Sequence, residues 1–285
     1  MQPEPFDLDV LGRRFEAPEF HVTPERIAAY AAATNDVSPA AAAGELAPPV
    51  FAFVPMRPAL RQLLGTATPL YAQHRGLHGE QDIRILAPIE AGSTLYPSGT
   101  LAGVRARPTG TALVLNLQIR DAGGTLVSDQ YTTIYFPRAE APAQAGVDAP
   151  GHRLPAGTAE RPPRAEIEVP TDRDQTYRYA DASGDTGVYH LDDEAARRVG
   201  FDGIILHGMC TMAAVSAAVL DEVGAGDVSR VRRIAVRFAH PVVPGERLVT
   251  KVWDDGDSAV AFETYNPAGV RVLAHGRMEL ADALR

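Results

Sequence analysis

At 285 residues the chain is long enough for two domains of ordinary size, each with its own hydrophobic core. Apolar residues make up 45% and charged residues 22%, and a net charge of -9 without a basic cluster argues against nucleic acid or an anionic membrane as partner. One cysteine, Cys210, excludes an intrachain disulfide. No secretory signal or run of ~20 apolar residues is evident, so we expect a soluble, cytoplasmic protein.

The first half predicts one capped helix, one interrupted apolar helix and four strands. Thr23 is the expected N-cap of a helix within residues 21–36, with Pro24 at its first position. Residues 50–64 have the apolar content of a buried helix, but Pro55 and Pro58 should break or reroute it. Strands are predicted at 81–86, 94–103, 112–121 and 125–136.

The second half predicts the same order of elements. Residues 139–164, rich in Pro, Ala and Gly, are interpreted as a linker between an N-terminal domain (1–138) and a C-terminal domain (165–285). A helix near 177–183 precedes a loop with Asp185 and His190, and an almost wholly apolar helix begins near His207-Gly208. Strands are predicted at 231–239, 247–253, 259–265 and 270–280.

Two alignments indicate that one pattern occurs twice. The segment YAAATND (30–36) matches YADASGD (179–185) at an offset of 149 residues. The pattern P-x-x-x-G-x-x-L occurs at 88–95 and again at 241–248, an offset of 153. We favour this repeat over two unrelated α+β domains. It predicts an α+β protein with two copies of an antiparallel sheet curled around a central helix.

The segment from 179 to 220 carries a recognisable motif: SGD, a histidine five residues after the aspartate, a short helix and LHGMCTMA. It resembles the MaoC-like (R)-specific enoyl-CoA hydratases, also called acyl dehydratases. The likeness continues through RRIAVRFAHPVVPGERL and is weaker in the N-terminal half. The resemblance implies the hotdog fold, with two copies forming a double hotdog. It also implies syn addition of water to a trans-2-enoyl thioester, or the reverse.

The sequence departs from the family pattern, which usually reads G-D-x-N-P-aliphatic-H. Here Gly187, Val188 and Tyr189 occupy the last three places before His190, so the usual Asn is missing. The N-terminal copy departs further, because Asp185 maps to Asp36 but His190 maps to Ala41. We therefore expect a degenerate, acyl-binding N-terminal hotdog and a catalytic C-terminal hotdog.

The chemistry also follows from the residue types. Hydration of an enoyl thioester needs a base for the water, an acid for C2 and donors for the enolate-like oxygen. Asp185 and His190 lie five residues apart across a Gly-containing loop, so they can flank one water molecule. The amide of Gly208, at the start of the apolar helix, is a candidate donor for the oxyanion.

Six further residues are candidates for substrate binding, although each also has a simple structural explanation. His207 is expected to orient the backbone beside the pair, and Cys210 is interpreted as a small core residue. The arginines could simply be solvent-exposed side chains on one face of the sheet. They are kept as candidates because the phosphates of coenzyme A need cations to bind them. The six candidates are Gly187, His207, Met209, Arg232, Arg233 and Arg237.

No Cys/His cluster has metal-ligand spacing, so neither a metal nor a cofactor is expected. The expected partner is acyl-CoA or acyl-ACP, and a homodimer is left open. Alternative functions are a biosynthetic 3-hydroxyacyl-ACP dehydratase, a hotdog thioesterase and a non-catalytic acyl-binding subunit. The retained Asp185 and His190 argue against the last.

Overall fold

The computed structural model describes residues 5–73 and 75–281. In chain order, its α-helices are α1 (Pro24–Ala33), α2 (Pro39–Ala42), α3 (Arg57–Ala67), α4 (Gln175–Ser183), α5 (Asp193–Arg198) and α6 (Gly208–Gly224). Short 3-10 helices cover Pro49–Met56, Thr158–Glu160, Val188–His190 and Val228–Arg230.

Strands fall into two series, one in each half of the chain. The first series is β1 (Arg14–Glu16), β2 (Phe20–His21), β3 (Leu77–Ile85), β4 (Thr94–Arg107), β5 (Gly110–Arg120), β6 (Leu126–Pro137) and β7 (Ala145–Gly146). The second series is β8 (Ala165–Pro170), β9 (Val231–Phe238), β10 (Arg247–Asp254), β11 (Ala259–Tyr265) and β12 (Arg271–Leu280).

The first compact unit holds the described residues up to His21 together with Pro55–Ala87 and Thr94–Gly151. Its antiparallel strands follow the order β1-β4-β5-β6-β3, and β2 and β7 also pair with β4. Helix α3 packs on β4, where a side chain at Gly99 would contact Leu63 and Ala59 at 3.5 and 3.7 Å. This unit is a sheet around a helix, as the sequence predicts.

The second compact unit holds Val22–Val54, Pro88–Ser93 and the described residues from His152 onward. Its antiparallel strands follow the order β9-β12-β11-β10-β8. Helix α6 packs against β8, β9 and β12, and most of its side chains are buried. Burial on all sides explains why the helix is apolar all round instead of amphipathic.

The prolines interrupt the first apolar helix in the way the sequence predicts. Residues Pro49–Met56, with Pro55 inside, form a 3-10 helix, and regular α-helix begins only at Arg57. Pro58 does not break α3, because it lies in the first turn, where its missing N–H has no intrahelical acceptor. The interruption therefore comes from Pro55, whereas Pro58 helps the second segment to start.

Residues 139–164, interpreted as a linker, contain ordered pieces. Strand β7 pairs with β4 in the first unit. In the second unit, the Trp253 indole N–H donates to the Arg161 carbonyl at 3.0 Å, and Arg164 forms an ion pair with Asp254 at 2.9 Å. The later part of the segment is therefore attached to the sheet that carries β10.

Candidate active site

The aspartate of the motif lies in a tight loop after α4. Gly184 ends this helix with a left-handed φ of 72°, and its N–H donates to the Ala180 carbonyl at 2.8 Å. Ser183 Oγ accepts from the Asp185 N–H at 3.1 Å. A glycine is favoured at this turn because a left-handed φ costs a residue without Cβ little.

A second local turn folds the histidine back over the aspartate. The Gly187 N–H donates to Asp185 Oδ1 at 3.2 Å, and the 3-10 helix Val188–His190 begins directly afterwards. A Cβ built on Gly187 would lie 3.4 Å from Asp185 Oδ1 and 3.8 Å from His190 Nε2. Asp185 Oδ1 and His190 Nε2 therefore border the same small space in front of Gly187.

The surroundings of His190 fix which ring nitrogen carries the proton. The ring is 7% exposed, and its Nδ1 lies 2.8 Å from the Ile205 carbonyl oxygen. Because a carbonyl only accepts, Nδ1 must be the protonated nitrogen of the neutral ring. In this tautomer Nε2 is the acceptor nitrogen, and it borders the same space as Asp185 Oδ1.

Gly208 is the first residue of α6, as expected, and His207 is its N-cap. The first N–H groups of an α-helix lack intrahelical acceptors and lie at the positive end of its dipole. A Cβ at Gly208 would lie 3.2 Å from the Phe238 ring, so the backbone is close to an aromatic wall. This arrangement can hold a thioester oxygen that gains negative charge.

His207 lies behind the pair. Its ring is 1% exposed and stacks on His190, with centroids 3.8 Å apart. Nε2 lies 2.9 Å from the Asp185 carbonyl oxygen, and Nδ1 lies 3.1 Å from Thr176 Oγ1. Both ring nitrogens are therefore engaged by the protein, which fits an orienting role better than direct contact with substrate.

Met209 and Cys210 face the core from the first turn of α6. Burial raises the pKa of the Cys210 thiol far above its usual value, so the thiolate nucleophile is strongly disfavoured. Met209 is buried as well, which leaves it in the packing of the helix and not on an open binding surface.

The three arginines of β9 have different environments. Arg233 forms an ion pair with Glu279 at 3.1 Å. Burial alone would raise the pKa of Glu279, but hydrogen bonds from Arg277 and Arg233 hold it below its usual value. Arg232 and Arg237 are both exposed, but Arg232 also donates to the Ser229 carbonyl at 2.8 Å. Of the three, Arg237 is the most available to a phosphate.

The N-terminal copy repeats the turn but lacks the histidine. The Ser38 N–H donates to Asp36 Oδ1 at 2.9 Å, as the Gly187 N–H does to Asp185. Helix α2 then begins at Pro39, the position that corresponds to Val188. Ala41, in the place of His190, is fully buried. The aligned residues thus form the same backbone turn, but the aspartate is accompanied by a histidine in the C-terminal copy and by Ala41 in the N-terminal copy.

Sequence reasoning missed two parts of this site. The Ile205 carbonyl, which fixes the tautomer of His190, is a backbone group and has no sequence signature. Thr176, which contacts both histidines, lies one residue before the helix predicted at 177–183, although α4 includes it. Its signal is weak: a fully buried threonine stands where the N-terminal copy has Ile27.

Within residues 5–73 and 75–281, no group of three His, Cys, Asp or Glu side chains is arranged to hold a metal ion. No helix in the same residues combines the length and apolar character needed to cross a membrane.

Two family models match the chain, one in each half. Residues 155–274 match the MaoC like domain, and residues 9–130 match the FAS1-like dehydratase domain region. The 3-hydroxyacyl-thioester dehydratase Y of Mycobacterium tuberculosis is 33% identical over 66% of this chain and 65% of its own length. The peroxisomal enoyl-CoA hydratase 2 of Arabidopsis thaliana is 32% identical over 63% of this chain and 60% of its own length.

The match thus spans slightly under two thirds of each of these two curated relatives. Among solved structures, the MaoC-like dehydratase from Phytophthora capsici superposes with a TM-score of 0.82 and 25% identity, covering 97% of this chain and 99% of that one. Each of the two compact units has its own series of antiparallel strands and a helix packed on them. Residues 155–274 therefore match the MaoC like domain, and the chain has a double-hotdog fold similar to that of solved MaoC-like dehydratases.

Proposed function

We propose that the protein is a hydro-lyase that reversibly hydrates trans-2-enoyl thioesters to (R)-3-hydroxyacyl thioesters. One observation carries the proposal: Asp185 Oδ1 and His190 Nε2 border the same space in front of Gly187. Both atoms are hydrogen-bond acceptors, and a water molecule has two hydrogens to donate. A water held by both would therefore direct its lone pairs towards the substrate.

In the hydration direction, the pair removes one proton from this water as its oxygen bonds to C3 of the enoyl group. The electrons of the double bond move towards C2 and the thioester oxygen, whose charge the N–H at Gly208 stabilises. The pair then returns a proton to C2. One water adds in total, both new bonds form on the face turned to the pair, and the reverse sequence is dehydration.

The names of the relatives support this reaction class, since one is a 3-hydroxyacyl-thioester dehydratase and the other an enoyl-CoA hydratase. The test is incubation of the purified protein with crotonyl-CoA and with longer enoyl-CoAs, followed at the absorbance of the conjugated thioester. We expect loss of that absorbance and formation of the (R)-3-hydroxyacyl product. A protein that hydrates none of these substrates would contradict the proposal.

Thioester hydrolysis is the main alternative within the same fold. It requires attack at the thioester carbonyl, whereas the Asp185–His190 pair is suited to holding a water for addition at C3. Release of free thiol from acyl-CoA distinguishes the two reactions. A carrier-protein thioester as the substrate, a homodimer and a cytoplasmic location remain predictions, and a comparison of enoyl-CoA with enoyl-ACP tests the first.

A further inference from the structure

A buried threonine connects the two residues of the pair through their backbones. Thr176 lies in α4 and is fully buried. Its Oγ1 donates to the His190 carbonyl at 2.9 Å and lies 3.1 Å from His207 Nδ1. One hydroxyl group therefore contacts both the chain at His190 and the ring that stacks beneath it.

The other end of this connection lies at Asp185. His207 Nε2 is 2.9 Å from the Asp185 carbonyl oxygen, and because that oxygen only accepts, Nε2 must carry a proton. Contacts thus run from the Asp185 carbonyl through the His207 ring and the Thr176 hydroxyl to the His190 carbonyl. Because Thr176 has one hydroxyl proton, it donates to either the His190 carbonyl or the Nδ1 of a neutral His207 at any moment. We call these contacts the carbonyl bridge. It spans the two residues whose separation sets the space for the water.

Stacking on His207 also restricts the orientation of the His190 ring. The His190 and His207 rings are 3.8 Å apart and inclined by 25°. The His190 ring is thus held at its Nδ1 by Ile205 and on one face by His207. Its Nε2 has little freedom to turn away from Asp185 without breaking one of these contacts.

The repeat supplies an internal comparison. At the offset of 149 residues, Thr176 corresponds to Ile27, which is fully buried but has no hydroxyl. The same copy has Ala41 in the place of His190. The hydroxyl is therefore present in the copy with the histidine and absent from the copy without it, as expected if it serves the pair and not the packing of the helix.

We propose that Thr176 and His207 are positioning residues for the Asp185–His190 pair. The proposal rests on the hydratase function and deepens it. The two residues hold the spacing and orientation of the pair in a chain that has Gly187 where the family pattern described above usually has Asn. Neither touches the space in front of Gly187, so their removal should affect the rate of chemistry more than substrate binding.

The first test is Thr176→Val, which keeps the shape of the side chain but removes the hydroxyl. Misplacement of a catalytic group by about 1 Å can cost roughly 10²-fold, so we expect kcat to fall about 10- to 100-fold with KM within about 2-fold. Thr176→Ser should restore kcat to within about 3-fold of wild type, since the hydroxyl returns.

Thr34→Val is a matched control. Thr34 is also fully buried, and its hydroxyl donates to a helical carbonyl, that of Tyr30, at 2.9 Å. Thr34 lies outside the carbonyl bridge, so the kcat of Thr34→Val should stay within about 2-fold of wild type. This should hold even if Thr34→Val and Thr176→Val lose similar thermal stability. A folded Thr176→Val protein with wild-type kcat, or a serine variant as slow as the valine variant, would overturn the proposal.

The second test needs no substrate. In ¹⁵N-histidine NMR of the free protein, His207 should show a protonated Nε2 that exchanges slowly with water. Thr176→Val should perturb the signals of both His190 and His207, and Thr34→Val neither. A rapidly exchanging His207 proton, or unchanged histidine signals in Thr176→Val, would refute the bridge. A wild-type protein that shows the bridge but hydrates no enoyl thioester would instead refute the proposed function.

Discussion

At the scale of single residues, the proposed reaction depends on two atoms that border the same space in front of Gly187, Asp185 Oδ1 and His190 Nε2. Asp185→Asn removes the carboxylate but keeps an oxygen for the Gly187 N–H, and His190→Ala removes the ring. Each variant should lower kcat by roughly 10²–10⁴, the usual effect of losing a general acid–base group. Steady-state hydration of crotonyl-CoA measures it, with circular dichroism to verify the fold.

Asp36→Asn is the matched control for Asp185→Asn, because Asp36 accepts the equivalent backbone N–H of Ser38. It should leave kcat within a few-fold of wild type. Near-normal activity in Asp185→Asn or in His190→Ala would remove that residue from the mechanism.

Gly187 offers a graded test of the space between the pair. Its φ of -56° is open to any residue, so a substitution causes no backbone strain. A Cβ would lie 3.1 Å from His190 Cδ2, which demands a shift of a few tenths of an ångström. Gly187→Ala should therefore keep kcat within about 10-fold, whereas the branched Gly187→Val should fill the water position and cost roughly 10²-fold or more.

Equal activities of the alanine and valine variants would show that the water lies elsewhere. Thermal unfolding should change little in either, because Gly187 is partly exposed and lies in a loop.

The sequence could predict the pair but not everything that positions it. Asp185 and His190 stand in a motif with fixed spacing, so their proximity follows from the local turn. The Ile205 carbonyl and Thr176 reach the histidines from segments that only the tertiary fold brings together. Likewise, the alternation along β9 predicts on which face of the sheet Arg233 lies. Only the pairing of β9 with β12 brings Glu279 beside it.

At the scale of elements, the repeat could be read from the sequence because equivalent helices end alike. Asn35, the second residue after α1, has φ 54°, and Gly184, the first residue after α4, has φ 72°, so these aligned positions are both left-handed. Thr34 and Ser183 each donate to a carbonyl four residues earlier. Strand β8 was missed, because a short strand beside a Pro-rich segment gives little periodic signal until β10 pairs with it.

Helix α6, residues 48–50 and Asp36 line a small, partly open cavity. Its α6 wall consists of Ala213, Ser216, Ala217 and Leu220, which recur at helical spacing. Ala217 lies nine residues beyond Gly208, or ~13 Å along the helix axis at ~1.5 Å per residue. A thioester held at Gly208 could therefore extend its acyl chain towards this cavity.

Ala217→Phe should fill the cavity. We expect kcat/KM for long-chain enoyl-CoA to fall about 10-fold or more, with that for crotonyl-CoA within about 3-fold, because only a long chain reaches this depth. Ala218→Phe, the next residue around the helix, is the control and should not discriminate between chain lengths. Equal losses on short and long substrates would place the acyl chain elsewhere.

At the scale of the whole molecule, the chain has two hotdogs, and we predict one active site. Asp36 keeps the turn of Asp185, with the Ser38 N–H at 2.9 Å, but Ala41 can neither accept nor donate a proton. Ile27, in the place of Thr176, lacks the hydroxyl of the carbonyl bridge. The N-terminal copy thus lacks the histidine proposed as base and the hydroxyl proposed to position it.

Calorimetric titration with a tight-binding product analogue should therefore give about one site per chain. Asp36→Ala should lower thermal stability, since it removes the oxygen that accepts the Ser38 N–H, at a cost of roughly 1 kcal/mol. Its kcat on crotonyl-CoA should nevertheless stay within a few-fold of wild type, whereas Asp185→Ala should lose most activity. Two equivalent sites, or a loss in Asp36→Ala as large as in Asp185→Ala, would show that both copies take part in catalysis.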